Sequence, residues 1–160
     1  MPADVALHEH LEATEQGVAL ASSLDLLAQR ATIVLSAIDA ADAELSVVLC
    51  GDDTIRTLNA EWRAKDAATD VLSFPQGEMP PGAPRHLGDV VISVDTAQRQ
   101  ADELGHALDD ELGVLLTHGV LHLLGHDHHE ADDRAAMLEE EARLLETIGL
   151  AAQGLIGRSR

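Results

Sequence analysis

Apolar residues recur at helical spacing in some stretches of this chain and gather into short β-branched runs in others, and each pattern predicts an element. From Ser23 to about Ala40, Leu24, Leu27, Ala31, Leu35 and Ile38 return every third or fourth residue. That is the spacing of one helix face, with Ser23 placed to cap its start. Before it, residues 4–8 predict a first strand, and the stretch up to Ser22 is polar and irregular. Leu45-Ser-Val-Val-Leu-Cys50 is short and β-branched, a strand closed by Gly51-Asp52-Asp53. Asp53 or Thr54 then caps a helix carrying Ile55, Leu58 and Trp62 on one side. Residues 64–70 read as a loop and Val71–Phe74 as a strand ended by Pro75. Residues 76–86, with three prolines and two glycines, read as an exposed connection. Asp89–Val94 is the clearest strand, followed by a helix over Thr96–Leu104 that ends at Gly105. The next helix, Asp109–Leu124, has acids in its first turn, where the helix dipole favours them. Its second half is apolar nearly all round, as in a helix packed on both sides. A last helix is expected over Asp132–Ile148, and Ala151–Arg160 as a loose tail. Strands mainly in the first two-thirds, then helices, predict an α+β layer fold.

Composition narrows this picture. A chain of 160 residues with 46% apolar content suits one domain over residues 1–160. The amino-terminal residues lack a basic stretch followed by an apolar one, so no secretory signal is expected. No apolar run approaches the roughly 18–20 residues of a membrane span, so no membrane partner and a cytoplasmic location are expected. Cys50 is the single cysteine, which excludes an intrachain disulfide and a thiolate-built zinc site. The charge of −19, from 10 cations against 29 acids, argues against strong binding to a polyanion. Only Trp62 and Phe74 are aromatic, too few to predict a base-stacking platform. Six of the ten cations (Arg30, Arg56, Arg63, Lys65, Arg85 and Arg99) precede residue 100, however, so the local potential can differ from the global one.

The candidate chemistry lies in His118-Gly-Val-Leu-His122-Leu-Leu-Gly-His-Asp-His128. On a helix, His118 and His122 project within about 40° of each other, a spacing that suits two corners of a tetrahedral metal site. Gly125 is a natural helix stop, after which the chain can bring a third imidazole back. His128 is one candidate, and His126 and His129 compete with it. Three imidazoles with a fourth position open describe a catalytic zinc site, with one Zn²⁺ per chain. A lone helix histidine is more often a core residue, but burying several without a shared partner would be costly. Gly119 stands where zinc proteases carry a general-base glutamate, which weakens a peptidase reading. It can serve a close approach by backbone or substrate, or simple helix packing.

This string resembles the signature of the YbeY family of bacterial metal-dependent endoribonucleases. Two further stretches resemble family blocks in the same order, Leu58–Pro75 and Leu87–Ser93, and the likeness covers roughly residues 45–148. It implies a small mixed β-sheet of about four strands covered by helices, with the metal-bearing helix central. It favours His128 as the third ligand and implies a functional role for Arg63, whose planar guanidinium suits a phosphate. Without the resemblance, Arg63 would read as a surface ion pair with Glu61 or Asp66. Lys65 is a second candidate cation. Asp70, Ser73 and Asp89 also fall in matching blocks, but turns and strand ends explain them equally well. Asp127 can orient an imidazole or stabilise a turn. His126 and Trp62 depart from the family pattern, Trp62 reading most simply as core. His8, His10, His86 and His106 read as surface residues.

The activity implied is zinc-dependent hydrolysis of single-stranded RNA in ribosomal RNA maturation and ribosome quality control. The acidic charge then calls for RNA delivered by the ribosome or a ribosome-associated protein. A different zinc hydrolase, such as a peptidase, and a non-enzymatic assembly factor with a structural metal are the alternatives. Attack on phosphorus by water or by the RNA's own 2′-hydroxyl, and the oligomeric state, stay open.

Overall fold

The computed structural model describes residues 3–8, 11, 14–76, 85–126 and 130–150. Strands β1 (Ala3–Leu7), β2 (Glu44–Cys50), β3 (Val71–Pro75) and β4 (His86–Ser93) form one sheet in the order β1-β2-β4-β3. β1, β2 and β4 are parallel, and β3 runs antiparallel along β4. Around it lie α1 (Glu15–Ala19), α2 (Ala21–Ala37), α3 (Asp52–Arg63), α4 (Val94–Leu104), α5 (Leu108–Leu123) and α6 (Ala131–Thr147). The mixed sheet and α+β architecture are those expected. No helix among the described residues is long and apolar enough to cross a membrane.

Strand alternation sorts the sheet's side chains onto two faces. Leu45, Val47 and Leu49 of β2 join Val90 and Ile92 of β4 in the main core with α2, α5 and α6. Cys50, Leu72 and Val91 belong to a smaller cluster with Ile55, against which Leu58 and Phe74 pack. α5 is the centre of the main core. Every residue from Glu111 to Leu121 is buried, between β3 and β4 on one side and α2, α4 and α6 around the rest. Each wholly buried leucine there contributes roughly 1.5–3 kcal/mol, so the expectation of a helix packed on both sides holds.

Four local expectations need correction, each for a tertiary reason. The first long helix begins at Ala21, and Ser23 is buried inside it rather than capping it. Its N-cap is Leu20, without a side-chain cap bond, and the capped helix is the preceding α1, where Thr14 Oγ1 accepts from the Gly17 amide at 3.0 Å. α3 begins at Asp52 behind Gly51, without a cap from Asp53 or Thr54. Its first amide donates instead to Asp95 Oδ2 of α4 at 2.9 Å, a cap from a residue remote in sequence. β4 starts at His86, not Asp89, because Leu87 is an extra residue opposite the Glu44/Leu45 step. Gly88, at φ +139°, accommodates that bulge, where a side chain would run into the Phe74 carbonyl. Finally, His106 is no bare surface residue, since its Nε2 meets the buried Glu111 carboxylate at 2.8 Å. The tail from residue 151 and residues 77–84 of the connection lie outside the described residues.

The β2–α3 corner is held by Asp52. Its Oδ1 accepts from Ser93 Oγ at 2.6 Å and Thr96 Oγ1 at 2.7 Å, and its Oδ2 from Arg99 at 2.8 Å. Partial burial works to raise the Asp52 pKa, but these donors outweigh it and hold the carboxyl below its usual range.

Candidate active site

α5 carries His118 and His122 one turn apart, and their Nε2 atoms converge to 3.0 Å with ring planes at 73°. His118 is buried and His122 half-buried. Behind His118, its Nδ1 faces Glu141 Oε2 of α6 at 3.2 Å. Glu141 is wholly buried, so its carboxylate requires donors. The tautomer that satisfies it puts the His118 proton on Nδ1, which turns the bare Nε2 toward His122. Glu141 thus does for His118 what sequence reasoning offered to Asp127, and that reasoning missed it. A signal was present. Met137, Glu141, Leu144 and Leu145 are the buried face of α6, so Glu141 occupies an apolar-stripe position. Three consecutive glutamates at 139–141 concealed it.

Helix α5 stops where expected. Gly125 has φ +93°, its amide donates to His122 O, and the His126 amide donates to Leu121 O. The helix therefore ends immediately beyond the histidine pair. Among the described residues no group of three His, Cys, Asp or Glu is placed to hold a metal ion, so His126 does not join the pair. His128, expected as third ligand, lies outside the described residues, as do Asp127 and His129.

The pair opens on a cleft of about 540 Å³ that is also lined by Arg63, Lys65, Asp70 and Ser73. Arg63 is the last residue of α3 and is exposed. Its Nη2 donates to the Ser73 carbonyl at 2.6 Å and its Nη1 to the Trp62 carbonyl at 3.2 Å. The ion pair that would make it an ordinary surface arginine is not formed. Asp66 is held by Arg56 through contacts of 2.8 and 3.2 Å. Among the described residues no carboxylate pairs with Arg63. Two cations thus face one carboxylate across the cleft, a local excess of positive charge in a chain of −19. That carboxylate, Asp70, is buried and accepts from the Val71 amide at 2.8 Å and Gln100 Nε2 at 3.2 Å, as a strand-start residue does. Asp89 pairs with Phe74 in the sheet and does not line the cleft.

Ser73 ties the two halves of the site together. Its carbonyl holds Arg63, while its Oγ donates to the Gly119 carbonyl at 2.9 Å, on the residue after His118. Gly119 permits that approach. A Cβ built there would lie 2.7 Å from Val90 Cγ1 and 3.2 Å from Ser73 Oγ. Of the roles open to Gly119, helix-on-sheet packing is the one the geometry supports. Gly119→Ala is expected to lower stability, because Val90 is a wholly buried β-branched residue with no room to move. The overpacking cost, about 1–3 kcal/mol, exceeds the roughly 1 kcal/mol that alanine gains in helix propensity. Urea denaturation measures the difference, and an unchanged midpoint would contradict it.

Trp62, expected in the core, is 63% exposed. Its ring meets Phe74 edge-on, with centroids 6.1 Å apart.

Known proteins resemble this chain in fold and in sequence. The solution structure of TM1509 from Thermotoga maritima superposes with a TM-score of 0.57, covering 91% of this chain and 88% of that one at 24% identity. The likeness is one of fold. Endoribonuclease YbeY of Anaeromyxobacter dehalogenans is 54% identical over 131 residues, covering 82% of this chain and 65% of that protein. Endoribonuclease YbeY of Myxococcus xanthus is 50% identical over 132 residues, covering 81% of this chain and 45% of that protein. The chloroplastic endoribonuclease YBEY of Arabidopsis thaliana is 53% identical over 115 residues, which are 71% of this chain and 20% of that one. This chain therefore spans less than two thirds of the length of those relatives. The model of the family described as Endoribonuclease YbeY matches residues 11–149, from the start of the helical region through the turn after α6. A match of that extent, with bacterial and chloroplastic relatives at half identity or more, means that this chain belongs to the YbeY endoribonuclease family.

Proposed function

We propose that this protein is a zinc-dependent endoribonuclease that hydrolyses phosphodiester bonds of single-stranded RNA. Its substrate in this reading is ribosomal RNA, presented in the cytoplasm by the ribosome or a ribosome-associated protein. The observation that carries the proposal is one cleft bordered by two converging imidazoles and by an arginine without a carboxylate partner among the described residues.

The two imidazoles suit zinc. Nitrogens at about 2.0–2.1 Å from a tetrahedral ion stand roughly 3.3–3.4 Å apart, and the Nε2 atoms are at 3.0 Å before any adjustment to an ion. The buried carboxylate behind His118 is the partner that a metal-ligating histidine ordinarily has. His128 is the proposed third donor. Zinc, when bound, supplies a Lewis acid for a phosphoryl oxygen and brings water's pKa to about 7.

The chain's own groups account for the rest. Arg63 presents a planar fork to the non-bridging oxygens, where negative charge grows as phosphorus is attacked. The Ser73 carbonyl fixes the direction of that fork, and Lys65 adds a second, more mobile charge. Glu141 stays buried behind His118, away from the cleft lining, so it is a positioning residue and not the general base of a peptidase. With only two cations facing the cleft, naked RNA is expected to bind weakly, which favours delivery by a partner.

The test incubates wild-type protein with single-stranded RNA and with peptides, each with and without chelator and with zinc restored. RNA cleavage lost to chelator and recovered with zinc is expected, with peptides intact. Chelator-insensitive cleavage or peptide hydrolysis would overturn the proposal. The product ends distinguish attack by water, which leaves linear phosphate, from attack by the 2′-hydroxyl, which leaves a 2′,3′-cyclic phosphate.

A further inference from the structure

Trp62 is the chain's single tryptophan, and it is among the most exposed large apolar side chains described. Of those side chains, which also include Val18, Ile33, Leu104 and Leu138, it alone neighbours a cleft-lining residue in sequence. Its position is not loose. Phe74 of β3 meets it edge-on at 6.1 Å and 73°, a preferred geometry for an aromatic pair. Arg63 then lies with its Cζ 4.9 Å from the Phe74 ring centroid. The three side chains form a continuous group, with Arg63 at the cleft and Trp62 largely in solvent.

Sequence reasoning discounted a stacking platform because the chain has only two aromatic residues. The fold places those two together, beside Arg63, the arginine that lines the cleft. An exposed indole next to a phosphate-directed cation offers the two grips that an unpaired nucleotide takes, one for the base face and one for the backbone. A base and its phosphate are neighbours in RNA as Trp62 and Arg63 are neighbours here. A duplex cannot use the platform, since its base faces are already stacked.

We propose that Trp62, braced by Phe74, is a nucleobase-stacking platform next to Arg63 that holds an unpaired base beside the phosphate gripped by that arginine. This rests on the endoribonuclease reading, and it locates part of the single-strand preference in one side chain.

Because the chain has one tryptophan and no tyrosine, its intrinsic fluorescence reports Trp62 alone. Titrating the full chain at low salt with a short single-stranded RNA is expected to quench that emission, whereas the same sequence as a duplex is not. Trp62→Ala is expected to raise KM for single-stranded RNA about tenfold, with kcat little changed, the pattern of a contact held equally in ground and transition states. Trp62→Phe should recover most of the loss. The salt dependence separates the two grips. Trp62→Ala keeps the slope of log affinity against log salt, while Arg63→Ala reduces it by roughly one. Unquenched emission on RNA binding, or an unaltered KM in Trp62→Ala, would overturn the platform while leaving the endoribonuclease reading intact. Such a result would assign the exposed indole to a protein partner. Wild-type protein that neither binds nor cleaves RNA would overturn both.

Discussion

Two alanine variants one helical turn apart are expected to fail differently: His122→Ala loses metal and RNA cleavage but keeps its metal-free stability, whereas His118→Ala loses all three. Both remove a proposed zinc ligand, so metal content by mass spectrometry should fall far below one per chain in each. The difference comes from what stands behind the ring. His122 is half-buried and lines the cleft, so water can replace it at His118 Nε2 when its ring is removed. His118 is buried and meets Glu141, a carboxylate with no exposure at all. Deleting that imidazole strips a donor from a buried acceptor, a loss of about 1–3 kcal/mol or more for a charged group. For a chain of this size that lowers Tm by roughly 2–4 °C per kcal/mol. Thermal melts with and without chelator separate the contributions, since zinc binding adds to stability only where the site is intact. Glu141→Gln keeps the shape and removes the charge, and it should weaken metal binding by roughly 10–100-fold. Equal stability of the two alanine variants without metal would show that the Glu141 contact has little energetic weight.

Arg63→Ala is expected to cost about 10²–10³ in kcat, the usual effect of removing one group aimed at developing charge. Metal content should be unchanged, and stability should move by no more than about 0.5 kcal/mol, because the side chain is exposed. Arg63→Lys restores charge but not the two-pronged geometry, and it should recover only part of the rate. Single-turnover cleavage of single-stranded RNA measures both variants. Full activity in Arg63→Ala would remove Arg63 from the catalytic machinery. The present geometry speaks for the catalytic role. Asp66, the natural surface partner, is engaged by Arg56, and Arg63 is directed by a carbonyl of the strand that floors the cleft.

Much of the fold was legible because its signals are local. The short apolar runs at Leu45–Cys50 and Val71–Phe74 became β2 and β3, and the all-round apolar stretch after Asp109 became the buried α5. Gly125 ended that helix with the positive φ its lack of a Cβ allows. Helical spacing also sufficed to place His118 and His122 on one side of α5, since that depends only on 3.6 residues per turn. Element starts were less legible, because their amides are satisfied from afar. The α3 amide finds Asp95, and no local pattern around Asp53 or Thr54 contains that fact.

The sequence by itself determined the α+β class and the helix that bears the histidines, and its likeness to the family made Arg63 a candidate. Only the tertiary structure decided which groups meet: Glu141 behind His118, Ser73 between Arg63 and Gly119, and Trp62 in solvent instead of the core. The physical reason is the range of the interactions. Periodicity and capping act over a few residues and are written in the local order of the chain. The partner of a buried carboxylate, or the exposure of an indole, depends on segments brought together by packing, in this case residues 23 apart for His118 and Glu141 and 46 apart for Ser73 and Gly119.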